Sequence, residues 1–486
     1  MAATTDAARR EPAADGPWGP ALRRTTLGVV ALVSLVAFEA MAVATAMPVA
    51  ARELDGFSLY AWAFTGFLAA SLFSTAVAGE VADRYGPRLP VVGGVGLFSV
   101  GLTLAGLAPA MVPFVLGRLV QGLGGGAMIV GVYVLVGQCY PDRLRPRMFS
   151  YLSAAWVLPA VVGPLVAGVV AESLSWRLVF YGLLPLVVAP VVLLLPKLGA
   201  VAAATTETPT ETPTGAGAPS RRGGGRVWLA LALAVGAATL QLGGQQLEQG
   251  AVLLAAAGVL VGAALAVPAA ARLMPAGTLR LRRGLPSVVA LRGVQAGAFF
   301  GVEAFLPLML VEHRDLSPTL AGVCLTGAAL GWSAGSWWQG RPGLTTDRGR
   351  LAVVGALLAL AGFALTSTAV LTDPAVPVVV SAIGWTLAGS GMGVVFSTLS
   401  VLLFRLSPAS ERGANSAALQ MSDALGCVLT VGLGGVLYAI LRGRTGDAAG
   451  VEFAVVFAVM LAVQVLGVVV ARRVLPVATP VPVGTR

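Results

Sequence analysis

The sequence predicts an all-α polytopic membrane protein built by duplication, and three observations carry that prediction. Hydrophobic residues make up 57% of the 486 and charged residues only 11%, against about 25% charged in a soluble domain, and mean hydropathy is +0.86. Apolar stretches reach about 20 residues, the length of helix that crosses a hydrocarbon layer ~30 Å thick; the period-two alternation of a membrane β-barrel is absent. The chain also repeats itself. Glu39 and Glu303, each near the middle of an apolar stretch, lie 264 residues apart, and Asp83-Arg84-Tyr85-Gly86-Pro87-Arg88-Leu89 returns, shortened, as Asp347-Arg348-Gly349-Arg350-Leu351 at the same 264-residue offset.

Element by element, a polar cytoplasmic tail occupies 1–26, and spans at 27–50, 58–80, 89–108, 111–138, 148–171 and 176–196 form a six-helix bundle over 27–196. A Thr-, Pro-, Gly- and Ala-rich linker at 197–226, ending in Arg221, Arg222 and Arg226, has the composition of a flexible connector. Two additional helices follow within 227–271, at 227–246 and 249–271, and a second six-helix bundle fills 286–471 with spans at 286–311, 316–340, 350–371, 376–404, 414–440 and 451–471. Residues 472–486 form a second cytoplasmic tail.

Fourteen spans put both termini on one side. About 25 of the 32 basic residues then fall in inside loops and five outside, namely Arg52, Arg177, Arg314, Arg442 and Arg444; that asymmetry orients the termini to the cytoplasm and reads the net charge of +10 as topology rather than nucleic-acid binding. The first apolar run lacks a small-residue cleavage site and is expected to stay as a span. Gly122-Leu123-Gly124-Gly125-Gly126 and Gly389-Ser390-Gly391-Met392-Gly393 each begin 19 residues before a proline, Pro141 and Pro408. Such small-residue runs let membrane helices approach closely. Parallel repeats around a midplane site are a transporter architecture.

Several of these residues also match a known family. Gly79-Glu80-Val81-Ala82-Asp83-Arg84-Tyr85-Gly86-Pro87-Arg88, between spans two and three, is similar to the loop motif of the major facilitator superfamily, with Pro87 where a basic residue is usual. Arg118-Leu119-Val120-Gln121-Gly122 in span four is similar to its membrane-embedded arginine motif, and Glu39, nine residues before Pro48, is similar to its span-one acid. Gly163, Pro164 and Gly168 match the span-five antiporter motif, while Pro159 and Ala167 replace glycines there. The chain thus resembles this superfamily, and within it the fourteen-span drug:proton antiporter branch. That resemblance implies two bundles in the major facilitator fold, alternating access and export of lipophilic or amphipathic small molecules in exchange for protons across a bacterial inner membrane.

A carboxyl in hydrocarbon is costly and a functional candidate by default, so Glu39, Glu303 and Asp423 are expected to take part in proton coupling, or else to make buried structural hydrogen bonds. Arg118 stands as the single arginine well inside a span and cannot shed its proton; Glu39 is its expected partner, with backbone carbonyls the alternative, and Gln121 lies one turn on. Trp62, Phe67, Trp156, Phe299, Phe300, Trp332 and Trp385, together with Gln121 and Gln295, are candidate cavity residues, each also suited to packing or lipid. Gly79, Asp83, Arg84, Gly86 and Arg88 are expected to clamp the bundles in one state, or simply to enforce topology.

No cofactor is expected, the proton gradient being the driving force. With Lys197 the only lysine and no GxxxxGK[ST] around it, a P-loop is excluded. Lone His313, the scattered Cys139, Cys324 and Cys427 and the lack of a nucleophile–base–acid group argue against a metal site, a disulfide framework and an enzyme. The expected partners are a small lipophilic substrate, protons and lipid, with no nucleic acid and a monomeric state. An uptake symporter for a small solute and a lipid-handling flippase are the alternatives.

Overall fold

The computed structural model describes residues 16–141, 144–207, 223–248, 250–341, 346–371, 376–408, 411–445 and 450–475. Arg9 and Arg10 of the first tail, Arg221 and Arg222 of the linker and residues 476–486 lie outside the described residues. The first stretch holds α1 (Arg23–Glu53), α2 (Trp62–Tyr85), α3 (Arg88–Leu107), α4 (Met111–Cys139), α5 (Arg145–Ala154), α6 (Val157–Ser173) and α7 (Trp176–Glu207). Then come α8 (Gly223–Glu248), α9 (Val252–Leu273), α10 (Leu285–Glu312), α11 (Pro318–Gln339), α12 (Arg348–Leu371), α13 (Val376–Leu406), α14 (Arg412–Thr445) and α15 (Val451–Ala471). Among the described residues, twelve helices are long and apolar enough to cross a membrane, and α6 is a shorter apolar helix of 17 residues.

Helices α1 to α7 pack among themselves, chiefly as α3 on α4, α2 on α4, and α1 on α6 and α7. Helices α10 to α15 do the same through α12 on α13, α11 on α13 and α10 on α14 and α15. Between them in sequence, α8 and α9 form a pair, and α8 lies against both α2 and α14. The two groups meet where α6 packs on α11, α2 on α14 and α1 on α10.

The glycine runs show how the repeat is built into this packing. A Cβ at Gly122 or Gly126 would collide with the Phe67 or Ser71 carbonyl of α2, and one at Gly124 with the Phe98 amide of α3. In the second half a Cβ at Gly389 or Gly393 would collide with the Ala328 or Trp332 carbonyl of α11, and one at Gly391 with the Ala359 amide of α12. Alternate glycines of one helix thus face alternate neighbours, in the same order, in both halves. The contact is backbone to backbone, the closest approach that membrane helices make.

Two expected boundaries are corrected. Nothing between residues 81 and 85 breaks a helix, so α2 continues through Asp83 and Arg84 to Tyr85 and stops at Gly86, whose φ of 75° suits glycine; the expected loop motif is mostly the last helical turn. Span five, expected as one helix over 148–171, is split between Ala154 and Val157. The cause is Pro159, which has no N–H to give the Ala155 carbonyl and whose ring crowds it. That carbonyl instead accepts a 3.0 Å hydrogen bond from Ser34 Oγ of α1.

Gly122→Val and Gly389→Val are expected to destabilise the detergent-solubilised protein by about 1–3 kcal/mol each, the scale of overpacking, and to a similar extent in both halves. Thermal unfolding followed by fluorescence checks this.

Candidate functional site

Three helices of the first group, α1, α2 and α4, bring their polar groups to one point. Arg118 projects from α4, where neighbouring Gly117 lets α4 sit against Ala105 of α3. The Arg118 guanidinium donates from Nε to the Ala63 carbonyl of α2 at 2.9 Å and from Nη1 to Gln121 Oε1 at 2.5 Å and to Glu39 Oε1 of α1. Its carbon lies 4.6 Å from the centre of the Phe67 ring. The side chains of Arg118 and Glu39 are 3% and 0% exposed, so the pair is sealed. Glu39 Oε2 and Gln121 Nε2 have no hydrogen-bond partner among the described residues, which leaves acceptor and donor capacity beside a fixed positive charge.

The second group carries a different pair, which the sequence reading missed when it took Arg118 as the only arginine well inside a span. Arg292, the eighth residue of α10, donates from Nε at 3.0 Å and Nη2 at 2.9 Å to the same Asp423 Oδ2 of α14. Its guanidinium carbon sits 3.6 Å from the centre of the Phe396 ring. Here the side chains are 14% and 20% exposed. Glu303 is buried on α10, and its carboxyl has no hydrogen-bond or ion-pair partner among the described residues.

The candidate aromatics divide. Phe299 stacks on Trp385 at 4.6 Å and meets Phe300 and Trp332 edge-on at 5.4 Å each, and Trp332 meets Phe396 at 4.8 Å. These rings form one continuous aromatic wall in the second group. Trp385 is fully buried behind it. Phe67 belongs to the Arg118 cluster and Trp62 is buried at the start of α2, its indole N–H without a hydrogen-bond partner among the described residues. Trp156 stands at the α5–α6 break, 43% exposed. Gln295 lies against Gly467 of α15, inside the second group, with neither amide atom hydrogen-bonded among the described residues.

Polar ties between the groups collect at one end of the molecule. Arg52 at the end of α1 donates to Glu312 at the end of α10, at 3.0 Å from Nε and 2.5 Å from Nη2, and Arg442 of α14 lies 3.8 Å from the other carboxylate oxygen. Glu172 of α6 accepts from the Thr319 amide at 3.2 Å and hydroxyl at 2.5 Å, a carboxylate at the N-terminus of α11. Tyr60 donates to the Ala304 carbonyl at 2.8 Å. The span-five residues join here: Gly168 faces the Pro318 carbonyl, Gly322 of α11 faces the Pro164 carbonyl, and Gly163 faces Met41 of α1. At the far end of α2, Asp83, Arg84 and Arg88 are exposed and make no hydrogen bond or ion pair among the described residues; a Cβ at Gly79 would meet nothing. Charges in short loops read as topology signals, so Arg52, Glu172 and Glu312 carried no sequence sign of pairing.

The profile of the Major Facilitator Superfamily matches residues 29–431. The chain belongs to this superfamily. Among curated relatives, multidrug transporter protein MdtP of Bacillus subtilis strain 168 is 31% identical over 176 residues, covering 36% of this chain and 32% of that protein. Multidrug resistance protein 3 of the same organism is 30% identical over 155 residues, 32% and 30% of the two chains. The matched region spans about a third of each relative. As a superfamily member the chain shares its fold with a D-xylose–proton symporter, at a TM-score of 0.61 and 17% identity over 94% of this chain and 98% of that one. A peptide transporter of the POT family gives 0.64 and 15% over 92% and 94%. These relatives and neighbours are transporters.

Breaking a buried pair leaves an uncompensated charge, at a cost of about 3–5 kcal/mol. Glu39→Gln is therefore expected to lower thermal stability sharply, and Glu39→Gln with Arg118→Gln to recover most of the loss. A double-mutant cycle read by thermal unfolding measures this coupling.

Proposed function

We propose that the chain is a proton-coupled exporter of hydrophobic or amphipathic small molecules, working by alternating access as a monomer in a bacterial inner membrane. The observation that carries this reading is the sealed Glu39–Arg118 pair. Arg118 is the counter-charge of Glu39 while the pair is intact; in the proposed cycle a proton delivered from the side rich in protons neutralises the carboxylate and its attraction for Arg118 falls. Helices α1, α2 and α4 then lose the tie that the guanidinium makes among them. No cofactor enters this cycle, since protons supply the driving force. One charge crossing 100 mV contributes about 2.3 kcal/mol, enough to hold roughly a 50-fold gradient of substrate. The names of the Bacillus relatives, both multidrug proteins, support export of lipophilic compounds.

In this reading α1 to α4, the broken pair α5–α6 and α7 are six spans, α10 to α15 are six more, and α8 and α9 are the additional two, with both termini cytoplasmic. The Arg52–Glu312 and Glu172–Thr319 ties then lie on the outer side, and the molecule is closed there. Asp83, Arg84 and Arg88 are disengaged, to be engaged when the outer side opens. Glu303 and the aromatic wall line the substrate path from the second bundle.

The test uses proteoliposomes with a trapped pH dye and an imposed proton gradient. Lipophilic dyes are expected to move against their own gradient and to drive proton movement the other way; Glu39→Gln with Arg118→Gln, checked for folding, is expected to lose the proton movement. Retained proton movement in that double variant, or movement of dye and proton in the same direction, would refute the proposal.

A further inference from the structure

We propose that a cleft between α12 and α15, at the end of the molecule opposite the Arg52–Glu312 tie, is a site for the headgroup of an anionic phospholipid, whose phosphate Arg350 and Arg472 hold. The inference goes beyond the export reading and does not rest on it. The cleft has a volume of about 550 Å³. Arg350 of α12 and Arg472, just past the end of α15, line it together with an apolar part made by Val353, Val354, Ala471 and Leu475. Both arginines are exposed and make no hydrogen bond or ion pair among the described residues. A guanidinium presents a planar fork of donors that matches phosphate oxygens two at a time, and basic pockets between membrane helices are places where acidic lipid headgroups are held.

Neighbouring charges are engaged within the chain, and these two arginines are not. Asp347 Oδ1 accepts from the Gly349 amide at 2.7 Å at the start of α12, and Arg348 donates to the carbonyl and side-chain oxygen of Gln339 of α11. The walls of the cleft are fixed. A Cβ at Gly349 would come within 2.5 Å of Leu475, so the chain beyond α15 is seated on the backbone of α12; deeper between the helices, Gln464 of α15 donates to the Ala356 carbonyl of α12 at 2.8 Å. From each arginine an exposed apolar stripe runs along its helix at three- and four-residue spacing, Val354 and Leu357 on α12, Val469 and Leu466 on α15. A cationic rim above two apolar tracks matches a phosphate above two acyl chains. With two guanidinium groups against the one carboxylate of Asp347, charge complementarity favours a lipid of net negative charge over a zwitterionic one. Residues 476–486 contain no Asp or Glu, so the sequence after Leu475 brings no side-chain carboxylate to the arginines.

Native mass spectrometry of the delipidated full chain in detergent counts bound lipid directly, with dioleoylphosphatidylglycerol as the anionic probe and dioleoylphosphatidylethanolamine as the zwitterionic comparator. The unaltered chain is expected to bind one phosphatidylglycerol about fivefold or more tighter than phosphatidylethanolamine. Arg350→Gln with Arg472→Gln is expected to weaken phosphatidylglycerol by about tenfold or more, the scale of one charged contact. Neither side chain makes a bond within the chain, so that variant is expected to unfold at the temperature of the unaltered protein. Arg23→Gln with Arg24→Gln removes the same charge from the start of α1, where both are exposed, and is expected to change binding by no more than about twofold. Asp347→Asn keeps an acceptor for the Gly349 amide and removes a negative charge from the cleft, so it is expected to tighten phosphatidylglycerol by about two- to threefold. Equal binding of the two lipids, an equal loss in the Arg23 and Arg24 variant, or displacement of the lipid by millimolar inorganic phosphate would each overturn the site; the second outcome would show general attraction to a basic surface and the third a free-anion site. Proton-linked dye movement that persists under those outcomes leaves the proposed function standing without this inference.

Discussion

A guanidinium held among apolar helices must have a counter-charge, because it does not lose its proton and because an ion in hydrocarbon is expensive. Arg118 meets that requirement with Glu39, and the rest of the first bundle is arranged around the solution. Gly117 brings α4 against α3, Gly122 brings it against α2, and the Ala63 carbonyl of α2 takes the remaining Nε–H. The same constraint acts in the second bundle, with a different outcome. Arg292 and Asp423 satisfy each other over Phe396 without being sealed.

Cohesion within each bundle and cohesion between them share glycine contacts, Gly168 and Gly322 joining α6 to α11, and differ in the polar ties added between the bundles at one end. Inside a bundle, glycine-to-backbone contacts such as Gly124 on Phe98 and Gly391 on Ala359 leave no slack, and close-packed contacts of that kind are disrupted rather than stretched. Between the bundles, the ties at one end are carboxylate contacts at partly exposed side chains, Arg52 to Glu312 and Glu172 to Thr319. Exposed ion pairs contribute little, about 0–1 kcal/mol.

Much of this was legible in the sequence, for physical reasons. Hydropathy gave the helices, the 264-residue offset gave the duplication, and an arginine in mid-span beside one mid-span acid gave the Glu39–Arg118 pairing, because in hydrocarbon there are few alternatives. Arg292 was not legible as a site: it lies two turns from the start of α10, close enough to Arg282 and Arg283 to be taken for an end-of-span charge. The placement of Gln295 against Gly467 was not legible because helix rotation is set by packing and not by hydropathy. Pro159 was visible only as a departure from a glycine pattern. Its meaning depended on Ser34, 125 residues earlier in the chain, being in position to take the freed carbonyl.

That freed carbonyl has a mechanical outcome. A continuous helix resists bending through its unbroken ladder of backbone bonds, but here the ladder is interrupted between Ala154 and Val157, and the break itself is pinned to α1 by Ser34 while α6 is seated on both α1 and α11. Helix five is therefore an articulated strut whose joint is clipped to α1 and whose longer arm bridges the two bundles.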